Sequence, residues 1–178
     1  MTLPTKTYEW TCRSEAQTDA LGHCLAASYL QFATQQSSPN LRGLIVDLRG
    51  PLGAGKTRFS KAVAAGCGID SVRSPTFTIC QRYSLPQLQS PGADCFLYHL
   101  DTYRIEDPTE LLMHGWDEMC DDGLVLVEWA DRIEDILPTK RVCLSWEHIS
   151  QTERRVYASA EGELEVAILN KLNATAEA

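Results

Sequence analysis

The chain has 178 residues, 44% of them hydrophobic and 22% charged, a balance that is typical of a folded globular domain and argues against disorder. We therefore predict a single domain over residues 1–178. The 24 acidic and 16 basic side chains give a net charge of -8, which disfavours direct binding to a nucleic-acid backbone. Seven cysteines without a C-x-x-C pair and the lack of a long apolar segment predict free thiols in a cytoplasmic protein without a membrane span.

The first half of the chain predicts a helix, a strand and a second helix. Ser14 and Gln17 have the spacing of a capping box, so we expect a helix to begin after Ser14. The apolar run over residues 44–48 is bounded by glycines and predicts a buried strand. The next helix would end in a left-handed cap at Gly66 or Gly68. Phe59, Ala62, Val63 and Ala65 lie among helix-forming neighbours in this second helix.

The second half predicts five more strands and a closing helix. The strand-like segments are TFTICQRY, CFLYHLDTY, LVLVEW, RVCLSWEHIS and ERRVYASAEG, and the closing helix is ELEVAILNKL, followed by a frayed end at residues 173–178. Strands interleaved with helices predict an α/β fold with an antiparallel part late in the chain.

Residues 50–57 form the most informative motif. Their sequence, GPLGAGKT, fits the phosphate-binding loop G-x-x-x-x-G-K-[ST], and the motif has the expected strand before it and helix after it. The glycines let successive N–H groups point into one concavity, and the dipole of the next helix adds to their attraction for phosphate. Lys56 would reach the β- and γ-phosphates, and the Thr57 hydroxyl would bind Mg²⁺. The predicted nucleotide-binding residues are Gly50, Leu52, Gly53, Ala54, Gly55, Lys56, Thr57 and Arg58.

Two carboxylates and one hydroxyl are candidates for the rest of the site. Asp101 ends the strand-like FLYHLD and Glu128 ends LVLVE, the position where such proteins place a carboxylate on the Mg²⁺ side. Thr76, in SPTFT, lies where a loop can sense the γ-phosphate. Taken singly, each carboxylate could equally be a surface charge at a strand end, and Thr76 could belong to a turn that starts a strand.

Four segments in this order, GPLGAGKT, SPTFT, YHLDTYRIEDPTELLMHGWDE and LVEW, resemble the bacterial TsaE (YjeE) family over residues 14–137. The resemblance implies a three-layer P-loop NTPase-like fold, with a mostly parallel sheet flanked by helices. It implies an ATPase that uses ATP and Mg²⁺ in forming threonylcarbamoyladenosine at position 37 of tRNA. Its expected partners are the TsaB and TsaD proteins, whose complex it would reset by hydrolysis, with tRNA contacted indirectly.

The resemblance also implies roles for single residues. Thr57 and Glu128 would hold Mg²⁺, and Asp101 would be the catalytic or water-positioning carboxylate. Thr76 would be the switch threonine, and Trp129 would pack or stack beside the site.

The sequence departs from the family pattern at two positions beside the essential loop residues. Pro51 stands where an acidic residue is common, and Arg58 where a second threonine is common. The roles of Tyr103 and Arg104 stay open, and Arg155 is a candidate for contacting the adenine.

Three other functions are compatible with a phosphate-binding loop. A small-molecule kinase would need an arginine-rich lid, whereas the late arginines of this chain are scattered. A GTPase would need N-K-x-D, and the nearest match is NKLN at residues 170–173. A nucleotide-gated interaction module with negligible turnover would have less use for Asp101 and Glu128 at adjacent strand ends.

Overall fold

The computed structural model describes residues 5–35, 43–72, 79–89 and 94–178. In this part of the chain seven strands form one sheet: β1 (Lys6–Cys12), β2 (Leu44–Arg49), β3 (Cys80–Ser84), β4 (Phe96–Asp101), β5 (Leu124–Glu128), β6 (Arg141–His148) and β7 (Arg154–Glu161). The α-helices are α1 (Glu15–Ala33), α2 (Lys56–Gly66), α3 (Thr109–Met113), α4 (Trp116–Asp122) and α5 (Glu163–Ala176). Two 3₁₀ segments cover Pro86–Leu88 and Ala130–Ile136.

The strand order is β1-β7-β6-β2-β5-β4-β3. The four central strands β6, β2, β5 and β4 are parallel, whereas β1, β7 and β3 pair antiparallel toward the two edges. The α/β class and the mixed sheet are therefore confirmed, and antiparallel pairing occurs at both edges rather than only late in the chain. Because the central strands are parallel, β2, β4 and β5 all end at the same rim of the sheet.

Helices cover both faces of the sheet and complete three layers. One core packs α1, α2 and α5 against the face that carries Leu44, Val46 and Leu48 of β2. A second core lies on the opposite face, where Ile45 contacts side chains from α3, α4 and the segment Ala130–Ile136. Adjacent residues of β2 alternate between the two cores, as a strand buried on both faces requires.

Most local predictions that fall on the described residues agree with the structure. The Ser14 side chain accepts a hydrogen bond from the Gln17 N–H and caps α1, and Gly68 adopts a φ of 78° just beyond α2. Within α2, Ala64 is buried and Ala65 is exposed. In addition, α5 continues to Ala176 instead of fraying after residue 172, and β1 was not predicted as a strand.

All seven cysteines lie among the described residues and are free thiols, as predicted. Burial raises the pKa of Cys67 and Cys120 to about 12 and that of Cys80 and Cys143 to about 11. Within the same residues, no helix combines the length and the apolar character needed to cross a bilayer.

A buried carboxylate lies in the middle of strand β2. Asp47 is fully buried and accepts hydrogen bonds from Arg49 Nε and Nη2 at 2.8 and 2.5 Å and from Arg141 Nε at 3.1 Å. Glu134, which is about half exposed, pairs with the same two arginines. These ion pairs join β2, β6 and the segment Ala130–Ile136, so they fix the chain that follows β5.

Asp47→Asn should lower the free energy of unfolding by about 3 kcal/mol, because it removes the buried charge between two partly buried guanidiniums and leaves them only the half-exposed Glu134. Glu134→Gln is the matched control and should cost less than about 1 kcal/mol, because Glu134 is exposed to solvent. Urea unfolding of both variants measures the difference. Equal losses would show that burial of Asp47 does not govern the network.

Candidate nucleotide-binding site

A cavity of about 880 Å³ opens at the rim where β2, β4 and β5 end. Its floor is the glycine-rich loop, which connects β2 to α2. Its walls are the start of α1, the ends of β4 and β5, and the turn between β6 and β7, which contributes Gln151, Thr152 and Arg154. The cavity therefore lies at the carboxyl end of the parallel strands, where α/β sheets bind their ligands.

The loop backbone requires its glycines. Gly50 has a φ of 127° and Gly53 a φ of 73°, conformations that L-residues rarely adopt. A Cβ on Gly50 would also lie 2.4 Å from the backbone oxygen of Trp146 in β6. The first residue of the loop therefore packs directly against the backbone of the sheet. Gly55 then starts α2, whose first N–H groups lack helical partners and border the cavity.

Two residues that flank the turn between β6 and β7 form hydrogen bonds to the glycine-rich loop. The imidazole of His148 donates from Nε2 to the Leu52 carbonyl at 3.2 Å, and Arg154 donates from Nη2 to the Gly53 carbonyl at 3.3 Å. These two bonds use carbonyl oxygens and therefore occupy none of the loop's N–H groups. Within the loop, the Ala54 N–H donates to the Pro51 carbonyl at 3.2 Å.

Lys56 is almost completely buried beneath the loop. Its Nζ donates to the carbonyls of Gly50 and Pro51 at 2.5 and 3.0 Å and lies 3.8 Å from the ring centroid of Trp129. Burial lowers the pKa of Lys56, and the nearby carboxylates Glu128, Asp101 and Asp131 counteract that shift. An anion bound beside Nζ would offset the same cost of burying the ammonium.

Glu128 is the buried carboxylate of the site. It is 3% exposed; its Oε2 accepts from the Thr57 hydroxyl at 2.6 Å, and its Oε1 is 2.7 Å from Nε2 of the fully buried His99. Thr57 and Glu128 thus lie together, as the sequence predicted. A hydroxyl and a carboxylate are hard oxygen ligands of the kind Mg²⁺ prefers. The two side chains supply only part of the coordination shell of Mg²⁺, and phosphate and water oxygens would supply the rest.

Asp101 is the register neighbour of Glu128 across β4 and β5, which confirms that the two carboxylates end adjacent strands. Asp101 lines the cavity and accepts from the Tyr103 N–H at 3.1 Å. Thr102 donates from Oγ1 to the carbonyls of Glu128 and Trp129, at 2.9 and 2.7 Å. The ends of β4 and β5 are therefore fixed to one another by backbone and side-chain hydrogen bonds.

Trp129 has a φ of 59°, the only positive value for a non-glycine among the described residues. This left-handed backbone turns the indole over Lys56, and the ring of Tyr103 packs on it with centroids 4.9 Å apart. The structure thus places Trp129 beside the site as a packing residue.

Most of the predicted site residues line the cavity: Leu52, Gly53, Ala54, Gly55, Lys56, Thr57, Arg58, Asp101, Glu128 and Trp129. Gly50 instead shapes the start of the loop, and Thr76 lies outside the described residues. The guanidinium of Arg58 pairs with Asp19, at 2.5 Å, and with Glu15 of α1, so its side chain bridges two helices.

Three side chains at the site, Arg154, His99 and His148, were not predicted from the sequence. Arg154, and not Arg155, lines the cavity; Arg155 pairs with Glu9 of β1 at 3.3 Å. The signal was the alternation of β7, because Arg154 shares its face with the buried Val156. No local sequence pattern marks His99 or His148. The contact of His99 with Glu128 depends on the register of β4 with β5, and that of His148 depends on the distant glycine-rich loop.

A glycine-rich loop between a central parallel strand and a helix, in a three-layer α/β sheet, defines a P-loop protein. The family model described as threonylcarbamoyl adenosine biosynthesis protein TsaE matches residues 12–156. The match covers most of the chain, so this protein belongs to the TsaE family, as its sequence motifs indicated.

Individual relatives agree with the family match. The tRNA threonylcarbamoyladenosine biosynthesis protein TsaE of Bacillus subtilis is 43% identical over 122 residues, which are 67% of this chain and 72% of the relative. The protein of the same name from Rickettsia conorii is 32% identical over 146 residues, 81% of this chain and 73% of the relative. The crystal structure of Bacillus subtilis YdiB superposes with a TM-score of 0.69 at 29% identity and covers 96% of this chain and 97% of that chain.

Gly53→Ala should cost about 1 kcal/mol of stability, because its φ is accessible to L-residues at moderate strain and the nearest atom to a new Cβ is 4.0 Å away. Gly50→Ala should cost at least about twice as much, because strain there is combined with a clash against the Trp146 backbone. Urea unfolding compares the two variants. Equal losses would contradict the close approach of the loop to β6.

Proposed function

We propose that the protein is a P-loop ATPase that binds ATP with Mg²⁺ and works with TsaB and TsaD proteins in forming threonylcarbamoyladenosine in tRNA. One observation carries the proposal: Lys56, Thr57, Glu128 and Asp101 converge on one cavity beside the glycine-rich loop. The names of the relatives support the pathway, since they describe tRNA threonylcarbamoyladenosine biosynthesis.

Phosphate binding would use the loop backbone and Lys56. The N–H groups at the start of α2 would donate to phosphate oxygens, and the Lys56 ammonium would exchange one of its loop carbonyls for a phosphate. The indole of Trp129 and the backbone of Gly50 already fix the position of Nζ. The ligand therefore meets a cation that is already in place.

Thr57 and Glu128 would hold the cation, and their present hydrogen bond shows that the two oxygens are already close together. Bound Mg²⁺ would neutralise phosphate charge and orient the terminal phosphate. For this the Thr57 hydroxyl would turn its hydrogen away from Glu128 Oε2, which frees both oxygens for the cation.

Asp101 would orient the attacking water and accept its proton. Its carboxylate lies at the cavity edge beside Glu128, and one oxygen is held by the Tyr103 N–H. A carboxylate with one oxygen fixed retains acceptor capacity on the other, which is what positioning of a water requires.

The net charge of -8 favours an indirect relation to tRNA, through the partner proteins. In this arrangement ATP hydrolysis would reset the complex of TsaB and TsaD proteins between rounds of modification, in a cytoplasmic assembly.

The decisive measurement is ATP hydrolysis by this protein alone, with TsaB and TsaD proteins, and with both proteins plus tRNA. We expect stimulation only in the mixtures, and Asp101→Asn should lower the stimulated rate at least about 100-fold while ATP still binds. Asp135→Asn, at an exposed site away from the cavity, is the control. Rapid turnover with a small-molecule acceptor and no partner would favour a kinase instead.

Lys56→Ala should weaken ATP binding at least about 100-fold, because the phosphates lose a charge-assisted hydrogen bond within a buried site. Lys61→Ala removes an exposed charge from the same helix and should leave affinity nearly unchanged. Isothermal titration calorimetry with ATP and Mg²⁺ measures both. An unchanged affinity in Lys56→Ala would refute the assignment of the loop.

A further inference from the structure

His99 is a fully buried imidazole for which the proposed chemistry has no direct use. It lies in β4 two residues before Asp101 and therefore points to the same face of the sheet. Its Nε2 is 2.7 Å from Glu128 Oε1, whereas Nδ1 has no hydrogen-bond partner among the described residues. Because a carboxylate only accepts hydrogen bonds, the Nε2–H group is the donor.

A buried polar side chain with one unsatisfied nitrogen is costly, because that nitrogen loses its hydrogen bond to water on folding. The neighbouring position on the same face of β4 is Leu97, which fills the core without such a cost. Packing alone therefore does not explain an imidazole at position 99, and its single hydrogen bond to Glu128 is the feature that distinguishes it from an apolar residue.

We propose that His99 is a positioning residue for Glu128, an inference that rests on the proposed Mg²⁺-dependent nucleotide binding. The imidazole hydrogen-bonds to Oε1, so Oε2 faces the Thr57 hydroxyl and would be the oxygen that faces a cation held by these two side chains. Metal-binding side chains commonly depend on such outer partners for their orientation.

The strand pairing makes this orientation rigid. β4 and β5 are parallel, His99 is opposite Leu126, and Asp101 is opposite Glu128, so the Glu128 side chain reaches diagonally back toward the imidazole. Without the N–H donor, the carboxylate would be free to rotate toward the Lys56 ammonium, a buried cation whose charge interacts with that of Glu128. His99 thereby keeps Glu128 directed to the cation instead of to Lys56.

The test uses three variants of the full chain. His99→Met removes the donor at similar volume, and His99→Gln retains an N–H near the Nε2 position. His99→Asn, whose amide is too short to reach Oε1, is a second donor-deficient variant and replaces His99→Met should that variant not fold. Calorimetry measures ADP affinity in EDTA and the affinity for Mg²⁺ in the presence of ADP.

We expect His99→Met and His99→Asn to weaken Mg²⁺ binding at least about 10-fold and to leave ADP affinity in EDTA within about twofold. His99→Gln should recover Mg²⁺ affinity to within about threefold. In a Glu128→Gln background, His99→Met should have no further effect on the metal, since the group it orients is already altered.

Two results would overturn the positioning role while leaving the proposed function intact. One is wild-type Mg²⁺ affinity in His99→Met and His99→Asn, and the other is an equal loss of ADP affinity with and without Mg²⁺, which indicates only damaged packing. If instead the wild-type protein binds neither ADP nor Mg²⁺ with ADP, the proposed function itself fails, and this inference fails with it.

Discussion

The burial of the Glu128 carboxylate is the constraint on which the site depends. A carboxylate that is 3% exposed needs hydrogen-bond donors for both oxygens, because an unpaired buried charge is very costly. The donors come from two different elements, Thr57 of α2 and His99 of β4. The glycine-rich loop must therefore position the start of α2 next to the end of β5. The parallel register of β4 with β5 must place the His99 imidazole next to the Glu128 carboxylate.

The centre of the sheet contains a second buried carboxylate, which differs from Glu128 in the charge of its hydrogen-bond partners. Asp47 lies on the opposite face and is bonded to two arginines, Arg49 and Arg141, so its charge is neutralised within the fold. Glu128 instead receives its hydrogen bonds from a hydroxyl and an imidazole, while the Lys56 ammonium donates to loop carbonyls. Asp47 is consequently a structural group, whereas Glu128 retains the capacity to attract a cation.

The sequence predicted those features that local spacing encodes. The loop, its helix and the two strand-terminal carboxylates follow from contiguous motifs, and the structure places Asp101 beside Glu128 as expected. Features that depend on strand register were missed, since no local pattern says that His99 will face Glu128. Arg155 was named as a candidate for contacting the adenine, whereas the structure has Arg154 at the cavity and Arg155 paired with Glu9. The alternation of β7 distinguishes these two consecutive arginines.

The raised pKa values of four thiols, one buried and three partly buried, have a consequence for the lifetime of the molecule. Thiolate is the species that reacts with oxidants and disulfides, and Cys67, Cys80, Cys120 and Cys143 carry almost none near neutral pH while the fold is intact. Unfolding removes this shielding from several sulfur atoms at once. These four thiols therefore react slowly in the native protein, whereas in the unfolded chain they are open to oxidation and to disulfide exchange.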